Sequence, residues 1–312
     1  MSSMIGNVLV AGMLLLAPIP PGGTSGTGYQ KGREAGVILR DSQIIVSGDG
    51  AGGTSDGYRV KRPCWYEPGL NADDMLKTQR ESKPSWIPAT EWERHLESLK
   101  QFEAEAGKEG RWWKQAYNEA DPDAAACLMA MEPYVFVPPG TTPPGGITLA
   151  ELVDIARAAL TVPKPNVRLN PDAKSYVNLG TWVWLDNGGE NTRSVTATLP
   201  GVMSATVVAT QRNITIDPGT KDDKRAEVKE ECGPTGTPYF KGATEDDLKC
   251  GVVYLRASVD LPREVYELTV TSAWDVAVQD DVVPFAYDPI EASATRDVPV
   301  GEVQSTVRKG TP

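Results

Sequence analysis

The sequence predicts a mainly β protein that ends in a β-sandwich, preceded by a short helix and by a loop-rich, partly helical N-terminal region. Two runs near the C-terminus, 252–258 and 265–274, alternate apolar and polar residues with a period of two, and residues 261–264 separate them as a loop. Just before them, Cys232 and Cys250 flank a segment rich in Gly, Pro and Asp, which indicates a hairpin closed by a disulfide. The 30 glycines and 25 prolines also favour loops and strands over helical bundles.

The N-terminal residues 4–19 form a nearly continuous apolar run. The run has the length of a signal-peptide core and is short for a transmembrane helix. We therefore expect residues 1–22 to be a signal peptide or an N-terminal anchor, and the protein to be exported to the cell envelope or the extracellular space. The membrane would be contacted only through this segment, if it stays uncleaved. A misassigned start codon is the remaining alternative.

Residues 23–137 are expected to form a loop-rich and partly helical region. One short strand is predicted at 37–46, before a cluster of glycines. Gly48, Gly50 and Gly53 have the GxGxxG spacing of a dinucleotide-binding loop, but the residues that follow do not start the helix that such a loop requires. The cluster is therefore interpreted as a flexible linker, and no nucleotide ligand is expected.

Residues 90–119 are charged and helix-prone. Thr90 and Glu93 have the spacing of a capping box at the start of this helix. Four apolar residues share one helix face, namely Trp92, Leu96, Leu99 and Phe102. This face is expected to pack either on the protein itself or on a partner, which makes Trp92 a candidate binding residue.

Residues 138–165 are predicted to form a Pro/Gly hinge and a short helix. Prolines and glycines alternate with threonines over 138–146, which indicates a boundary between two parts of the chain. Thr148 and Glu151 then form a capping box in front of an apolar helical run, and Pro163 stops the helix.

Residues 166–312 are predicted to form the sandwich. Turn clusters such as 217–220 separate strands of ordinary length. The predicted strands are 167–169, 176–185, 193–199, 202–216, 252–259, 264–275 and 294–307. Short strands punctuated by turns in this way favour an immunoglobulin-like sandwich.

The four cysteines, Cys64, Cys127, Cys232 and Cys250, fit two disulfides in an exported protein. Three pairings are open, and proximity in sequence favours Cys64–Cys127 and Cys232–Cys250. A four-cysteine zinc site is the alternative, but the spacing lacks the CxxC pairs that such sites use.

The net charge of −11 argues against a nucleic-acid partner, because phosphate binding requires a basic face. The acidic residues are spread along the chain, so solubility is the simplest explanation of the charge. The single histidine, His95, argues against histidine-based catalysis and against a multi-histidine metal site.

Part of the chain resembles a family of uncharacterised exported proteins of actinobacteria. The resemblance covers residues 135–310 and consists of an ordered series of segments. These segments are 137–144, 179–185, 205–210, 216–219, 232–234, 237–239, Cys250 and 266–274.

Members of this family look like polycystic-kidney-disease (PKD) repeat domains, which have an immunoglobulin-type sandwich. The hairpin that reads Trp-Asp-Pro/Phe-Gly-Asp-Gly in those domains corresponds here to 216–220, which lacks the Trp and the second Asp. The resemblance implies residence in the envelope or outside the cell, and a binding or structural role without catalytic residues.

The function expected from these observations is that of a non-catalytic interaction or structural module of the cell envelope or extracellular space, with a protein partner. Trp182 and Trp184 are two residues apart on one predicted strand, so both side chains lie on the same face. They are the candidate binding surface, because aromatic residues dominate binding hot spots. Burial of both rings in the core is the alternative.

Two other functions stay open. A calcium-dependent adhesin or carbohydrate-binding protein could use the carboxylates of Asp217, Asp222, Asp223, Asp246 and Asp247, because Ca²⁺ prefers several oxygen ligands. No other cofactor is expected. A secreted hydrolase would need a nucleophile beside a base or two carboxylates across a cleft, and the sequence shows neither arrangement. The protein is therefore not expected to be an enzyme.

Overall fold

The structure, a computed structural model, describes residues 37–50, 53–82, 88–186, 191–279 and 284–303. The predicted leader at 1–22 lies outside these residues, as do the last residues of the final predicted strand. The prediction of a mainly β protein is confirmed, with several antiparallel sheets and one short parallel strand pair among the described residues.

The described chain contains four α-helices and fifteen strands. The helices are α1 (Ala72–Glu81), α2 (Ala89–Glu103), α3 (Ala124–Met129) and α4 (Leu149–Ala159). The strands are β1 (Leu39–Arg40), β2 (Ile45–Ser47), β3 (Cys64–Asn71), β4 (Arg111–Asn118), β5 (Tyr134–Val137), β6 (Val167–Asn170), β7 (Ser175–Tyr176), β8 (Gly180–Leu185), β9 (Thr192–Leu199), β10 (Met203–Asp217), β11 (Ala226–Glu230), β12 (Cys250–Tyr254), β13 (Tyr266–Val278), β14 (Ile290–Val298) and β15 (Val300–Gly301).

The chain divides into two compact units built from discontinuous segments. The described part of the small unit consists of 67–82, 88–114 and Pro133–Pro144. The large unit takes the rest of the described chain, including Gln115–Glu132 and the strands from β6 onward. Strands β3 and β4 each contribute residues to both units.

The small unit packs α1 and α2 around a core of its own. Asn71 caps α1 by accepting a hydrogen bond from the amide of Asp74 at 2.8 Å. The core contains Met75, Leu76, Leu99, Phe102 and Trp112, with the Phe102 and Trp112 rings 4.7 Å apart. The predicted apolar face of α2 is thus only half buried, because Leu96 stays 46% exposed.

Two expectations about the 90–119 segment are wrong. The helix begins at Ala89 after Pro88, so Thr90 lies inside the first turn and not at the N-cap. The helix also ends at Glu103, and the following residues form β4 instead of more helix. Between the two elements, Gly107 and Gly110 adopt positive φ angles of 73° and 146°, conformations that glycine reaches at little cost.

Two antiparallel sheets of the large unit share one hydrophobic core. Their strand orders are β14-β13-β10-β9-β2 and β11-β12-β8-β6. Alternate residues of both sheets point into this core, among them Leu169, Val183, Leu185, Ile214, Val252, Tyr254, Tyr266, Leu268 and Val270. The rings of Tyr254 on β12 and Tyr266 on β13 are 4.3 Å apart, and both residues are completely buried.

Several predicted strand boundaries differ from the structure. The segment predicted as one strand at 176–185 is interrupted by a turn between β7 and β8, where Asn178 has a φ of 61°. The one predicted at 252–259 ends at Tyr254, and the last begins four residues early, at Ile290. Strand β11 was not predicted at all, because its sequence, Ala-Glu-Val-Lys-Glu, is mostly charged and pairs on one side only.

The glycine cluster after β2 is ordered, so its interpretation as a flexible linker is wrong for the described residues. The amide of Gly50 donates to the carbonyl of Ser194 at 2.9 Å, and its own carbonyl accepts from the amide of Thr161 at 2.7 Å. A Cβ at Gly53 would lie 2.2 Å from the carbonyl oxygen of Val162. The glycines therefore permit a close approach of backbones.

Helix α4 begins with the predicted capping box. Glu151 donates its amide to Oγ1 of Thr148 at 3.2 Å and accepts from the amide of Thr148 at 2.8 Å. The helix lies against β9 and β10, and eight of its eleven residues are buried.

The two favoured disulfides, Cys64–Cys127 and Cys232–Cys250, are confirmed. Disulfides of this kind persist in oxidising surroundings, so they indicate an extracytoplasmic environment. Among the described residues, no helix combines the length and the hydrophobicity that crossing a bilayer requires.

The disulfides should stabilise the protein according to the length of chain they close. Replacing Cys232 and Cys250 with alanine removes a closure over 18 residues and should lower the free energy of unfolding by roughly 3 kcal/mol. The Cys64→Ala, Cys127→Ala pair removes a closure over 63 residues and should cost about 4 kcal/mol. Urea denaturation of both variants measures these losses, and an unchanged midpoint for either would contradict the prediction.

The ion pair between Arg225 and Asp260 should make the stability of the protein depend on pH in the acidic range. The guanidinium donates to both carboxylate oxygens, at 2.8 and 2.6 Å, and these hydrogen bonds lower the pKa of Asp260 to about 2. Because the folded-state pKa is below the unfolded one, the stabilisation is present above pH ~4 and is lost as the pH falls towards 2. The stability difference between wild type and Asp260→Asn should therefore shrink over this range; a constant difference in denaturation experiments from pH 5 to 2 would refute it.

Candidate functional site

Strand β8 directs alternate side chains to the two faces of its sheet. Val183 and Leu185 point into the core shared by the two sheets. Trp182 and Trp184 point to the opposite face, where Trp182 belongs to a second cluster with Leu248 and Val253. Trp182 is 5% exposed and Trp184 is half-buried. The two predicted site residues therefore share a face, as expected, and this face is covered by other side chains.

The cover is the loop 233–249, which the Cys232–Cys250 disulfide closes at its base. The carbonyl of Thr235 accepts from the amide of Leu185 at 2.7 Å, beside a bridge between Trp184 and Gly236. A Cβ on Gly236 would lie 2.5 Å from the carbonyl oxygen of Val183, so only glycine permits this approach. The loop is thus held by backbone contacts to β8 as well as by the disulfide.

Two adjacent aromatic residues at the middle of this loop lie against Trp182. The ring centroids of Tyr239 and Phe240 are 5.7 and 6.2 Å from that of Trp182, in edge-to-face arrangements. Tyr239 is 39% exposed and Phe240 is 53% exposed. We refer to Trp182, Trp184, Tyr239 and Phe240 as the aromatic surface.

The surroundings of the aromatic surface are polar. The same loop carries exposed charged residues of both signs, Lys241, Glu245, Asp246 and Lys249. Past Phe240, the side chain of Asp247 accepts from the amide of Thr244 at 2.8 Å and holds the short turn Glu245–Asp247. Exposed aromatic and exposed charged residues therefore lie on the same loop, and protein-binding surfaces combine both kinds of residue.

The third predicted binding residue, Trp92, belongs to the small unit. It is half-buried on α2, and its ring stacks on that of His95 at a centroid distance of 4.9 Å. Nε2 of His95 lies 3.2 Å from the carbonyl oxygen of Gln79 on α1. The single histidine therefore contacts the neighbouring helix.

Three of the five carboxylates considered for calcium are engaged in turns, and the other two, Asp223 and Asp246, are exposed. The amide of Gly219 donates to Asp217 at 2.9 Å, which lowers the pKa of Asp217, and the amide of Lys224 donates to Asp222 at 3.0 Å. Asp247 caps the turn described above. In the described part of the chain, no three His, Cys, Asp or Glu side chains lie together as a metal site would require.

Sequence reasoning missed Tyr239 and Phe240. The available signal was two adjacent aromatic residues in a polar segment bounded by two cysteines. Their contact with Trp182 was not predictable, because it depends on how the closed loop folds back over β8.

Comparison of the chain with protein-family models, with curated proteins and with solved structures finds no match in any of the three.

The aromatic surface should separate into residues that stabilise the fold and residues that do not. Trp182→Ala removes a ring that is 5% exposed and should lower the free energy of unfolding by about 3 kcal/mol. Phe240→Ala truncates a ring that is 53% exposed and should change it by no more than about 0.5 kcal/mol. Urea denaturation compares the two variants, and equal losses would show that the loop is not exposed as described.

Proposed function

We propose that the protein is a non-catalytic recognition module of the cell envelope or extracellular space, and that its aromatic surface binds a partner protein. The observation that carries the proposal is the exposure of Tyr239 and Phe240 on a loop closed by a disulfide and supported from below by Trp182. Exposed rings of this kind supply large contact areas at a small loss of side-chain entropy.

The anchoring of the loop supports the proposal further. A partner that binds a flexible loop must order it, and that ordering opposes binding. Here the Cys232–Cys250 disulfide, the Thr235–Leu185 hydrogen bond and the close approach at Gly236 already hold the loop in place. The rings are therefore presented with little freedom left to lose.

We also propose that the two sheets of the large unit form an immunoglobulin-type sandwich of the PKD-like kind found in exported actinobacterial proteins. Two antiparallel sheets with a common core support this assignment. The ordered series of segments that carries the sequence resemblance supports it as well. Folds of this class host many binding functions, so the class agrees with a recognition role without specifying the partner.

A carbohydrate-binding adhesin is the second candidate. The loop carries exposed aromatic rings together with the exposed charged residues Lys241, Glu245 and Asp246, so it offers both the apolar face and the hydrogen-bonding groups that a sugar ring requires. The same residues would bind the sugar. The protein-binding and carbohydrate-binding candidates therefore differ only in the partner.

Site-specific photocross-linking in intact cells of the organism that makes the protein tests the proposal. A photoreactive amino acid replaces Phe240 in one variant and Val202 in the control, since both positions are 53% exposed and belong to the large unit. We expect one recurrent protein adduct from position 240, lost when Tyr239→Ser is added, and none from position 202.

The same experiment distinguishes the alternatives. Equal, scattered labelling from both positions would refute the proposed binding surface. An adduct from position 240 that contains glycan and no protein would show that the aromatic surface binds carbohydrate instead of a protein.

A further inference from the structure

Helix α4 carries two oppositely charged side chains inside the large unit. Asp154 is 2% exposed and Arg157 is 1% exposed. They are three residues apart, so they lie on the same side of the helix. Buried charges destabilise a fold unless partners satisfy them, so the groups around both residues show what this site is built to hold.

Arg157 is held within the molecule. Its guanidinium forms an ion pair with Asp56, whose side chain is 26% exposed. The same group lies 4.8 Å from the ring centroid of Tyr58 and 5.5 Å from that of Tyr287, which are cation–π distances. Arg157 therefore has an anionic partner and two aromatic ones.

The two carboxylate oxygens of Asp154 differ in their hydrogen-bond partners. Oδ1 accepts from the hydroxyl of Tyr58 at 2.8 Å and from that of Tyr287 at 3.3 Å. Burial, and the carboxylate itself, raise the pKa of both tyrosines, so their hydroxyls remain donors at neutral pH. Oδ2 instead lies 3.8 Å from Nζ of Lys61, which is longer than a charge-assisted hydrogen bond.

Lys61 occupies this position loosely. Its ammonium nitrogen lies 4.4 Å from the ring centroid of Phe285, which in turn stacks on Tyr287 at 5.6 Å. The side chain of Lys61 is 63% exposed, whereas that of Asp154 is 3% exposed. An exposed lysine loses much rotamer freedom for a contact that contributes little, so an external ligand can displace it.

We propose that Asp154, Phe285 and Tyr287 form a binding site for an ammonium group, and that Lys61 occupies it in the free protein. A buried carboxylate oxygen beside aromatic faces is the arrangement that recognises ammonium ions, and it needs no part of the aromatic surface. Asp56 and Asp154 balance the charges of Arg157 and Lys61, so displacing Lys61 leaves one negative charge for the ligand to neutralise.

The chemistry admits two sources of the ligand. A primary ammonium would come from a lysine side chain or an amine, and a quaternary ammonium from a choline-type head group. n-Butylammonium and tetramethylammonium chlorides represent the two, with sodium chloride at equal concentration as the ionic-strength control.

NMR titration of the full-length protein with these salts tests the proposal. Lys61→Ala, which removes the internal competitor, should bind one of the two cations about fivefold more tightly than wild type does. The matched control is Lys164→Ala, which removes an exposed positive charge elsewhere on the large unit and should leave affinity unchanged.

The obvious variant, Asp154→Asn, alters a buried network and can prevent folding. A substitution at a less buried residue of the site is therefore used instead. Phe285 is only half-buried, so Phe285→Leu in the Lys61→Ala background should fold and should abolish binding. Binding of neither cation, equal affinities in Lys61→Ala and Lys164→Ala, or binding that survives Phe285→Leu would each overturn the proposal. The cation that binds more tightly identifies the source.

Discussion

The contact between Tyr254 and Tyr266 is the interaction on which the large unit depends. One ring comes from each sheet, the centroids are 4.3 Å apart, and neither residue is exposed. Both buried hydroxyls are hydrogen-bonded. The hydroxyl of Tyr254 donates to the carbonyl of Pro218 at 3.2 Å, and that of Tyr266 donates to the carbonyl of Arg256 at 3.0 Å. Tyr266 also accepts from Arg225 at 3.2 Å. The pair therefore joins the sheets through its ring faces and holds the surrounding loops through its polar ends.

Strand β8 faces two different environments within six residues. Val183 and Leu185 face the core that the tyrosine pair belongs to, and Trp182 and Trp184 face the opposite side of the sheet, under the loop 233–249. The Cys232–Cys250 disulfide connects the two sides, because both cysteines lie in that core while the loop between them covers the tryptophans. A rigid core thereby determines the position of an exposed surface, which is the condition for binding without a large loss of entropy.

The buried charges of α4 are not explained by the packing of the helix. An apolar helix would cover β9 and β10 equally well, and replacing buried ion pairs by apolar residues is often neutral or stabilising. Asp154 and Arg157 are instead surrounded by Asp56, Tyr58 and Tyr287, which satisfy them incompletely, and Nε of Arg157 has no hydrogen-bond partner among the described residues. Incompletely satisfied buried networks of this kind are expected at binding sites, because proteins retain groups there that reduce the stability of the fold.

The sequence by itself determined the features that local patterns encode: the alternation of β9, β10 and β13, the capping box of α4 and the pairing of nearby cysteines. It did not determine β11 or β4, since a charged edge strand and a strand in a helix-prone segment take their conformation from partners distant in sequence. Only the tertiary structure placed Phe240 near Trp182, and Tyr58 and Tyr287 on Asp154 across 96 and 133 residues. Periodicity reports which face of an element is buried, whereas a site depends on which distant segments meet there, and no local pattern carries that information.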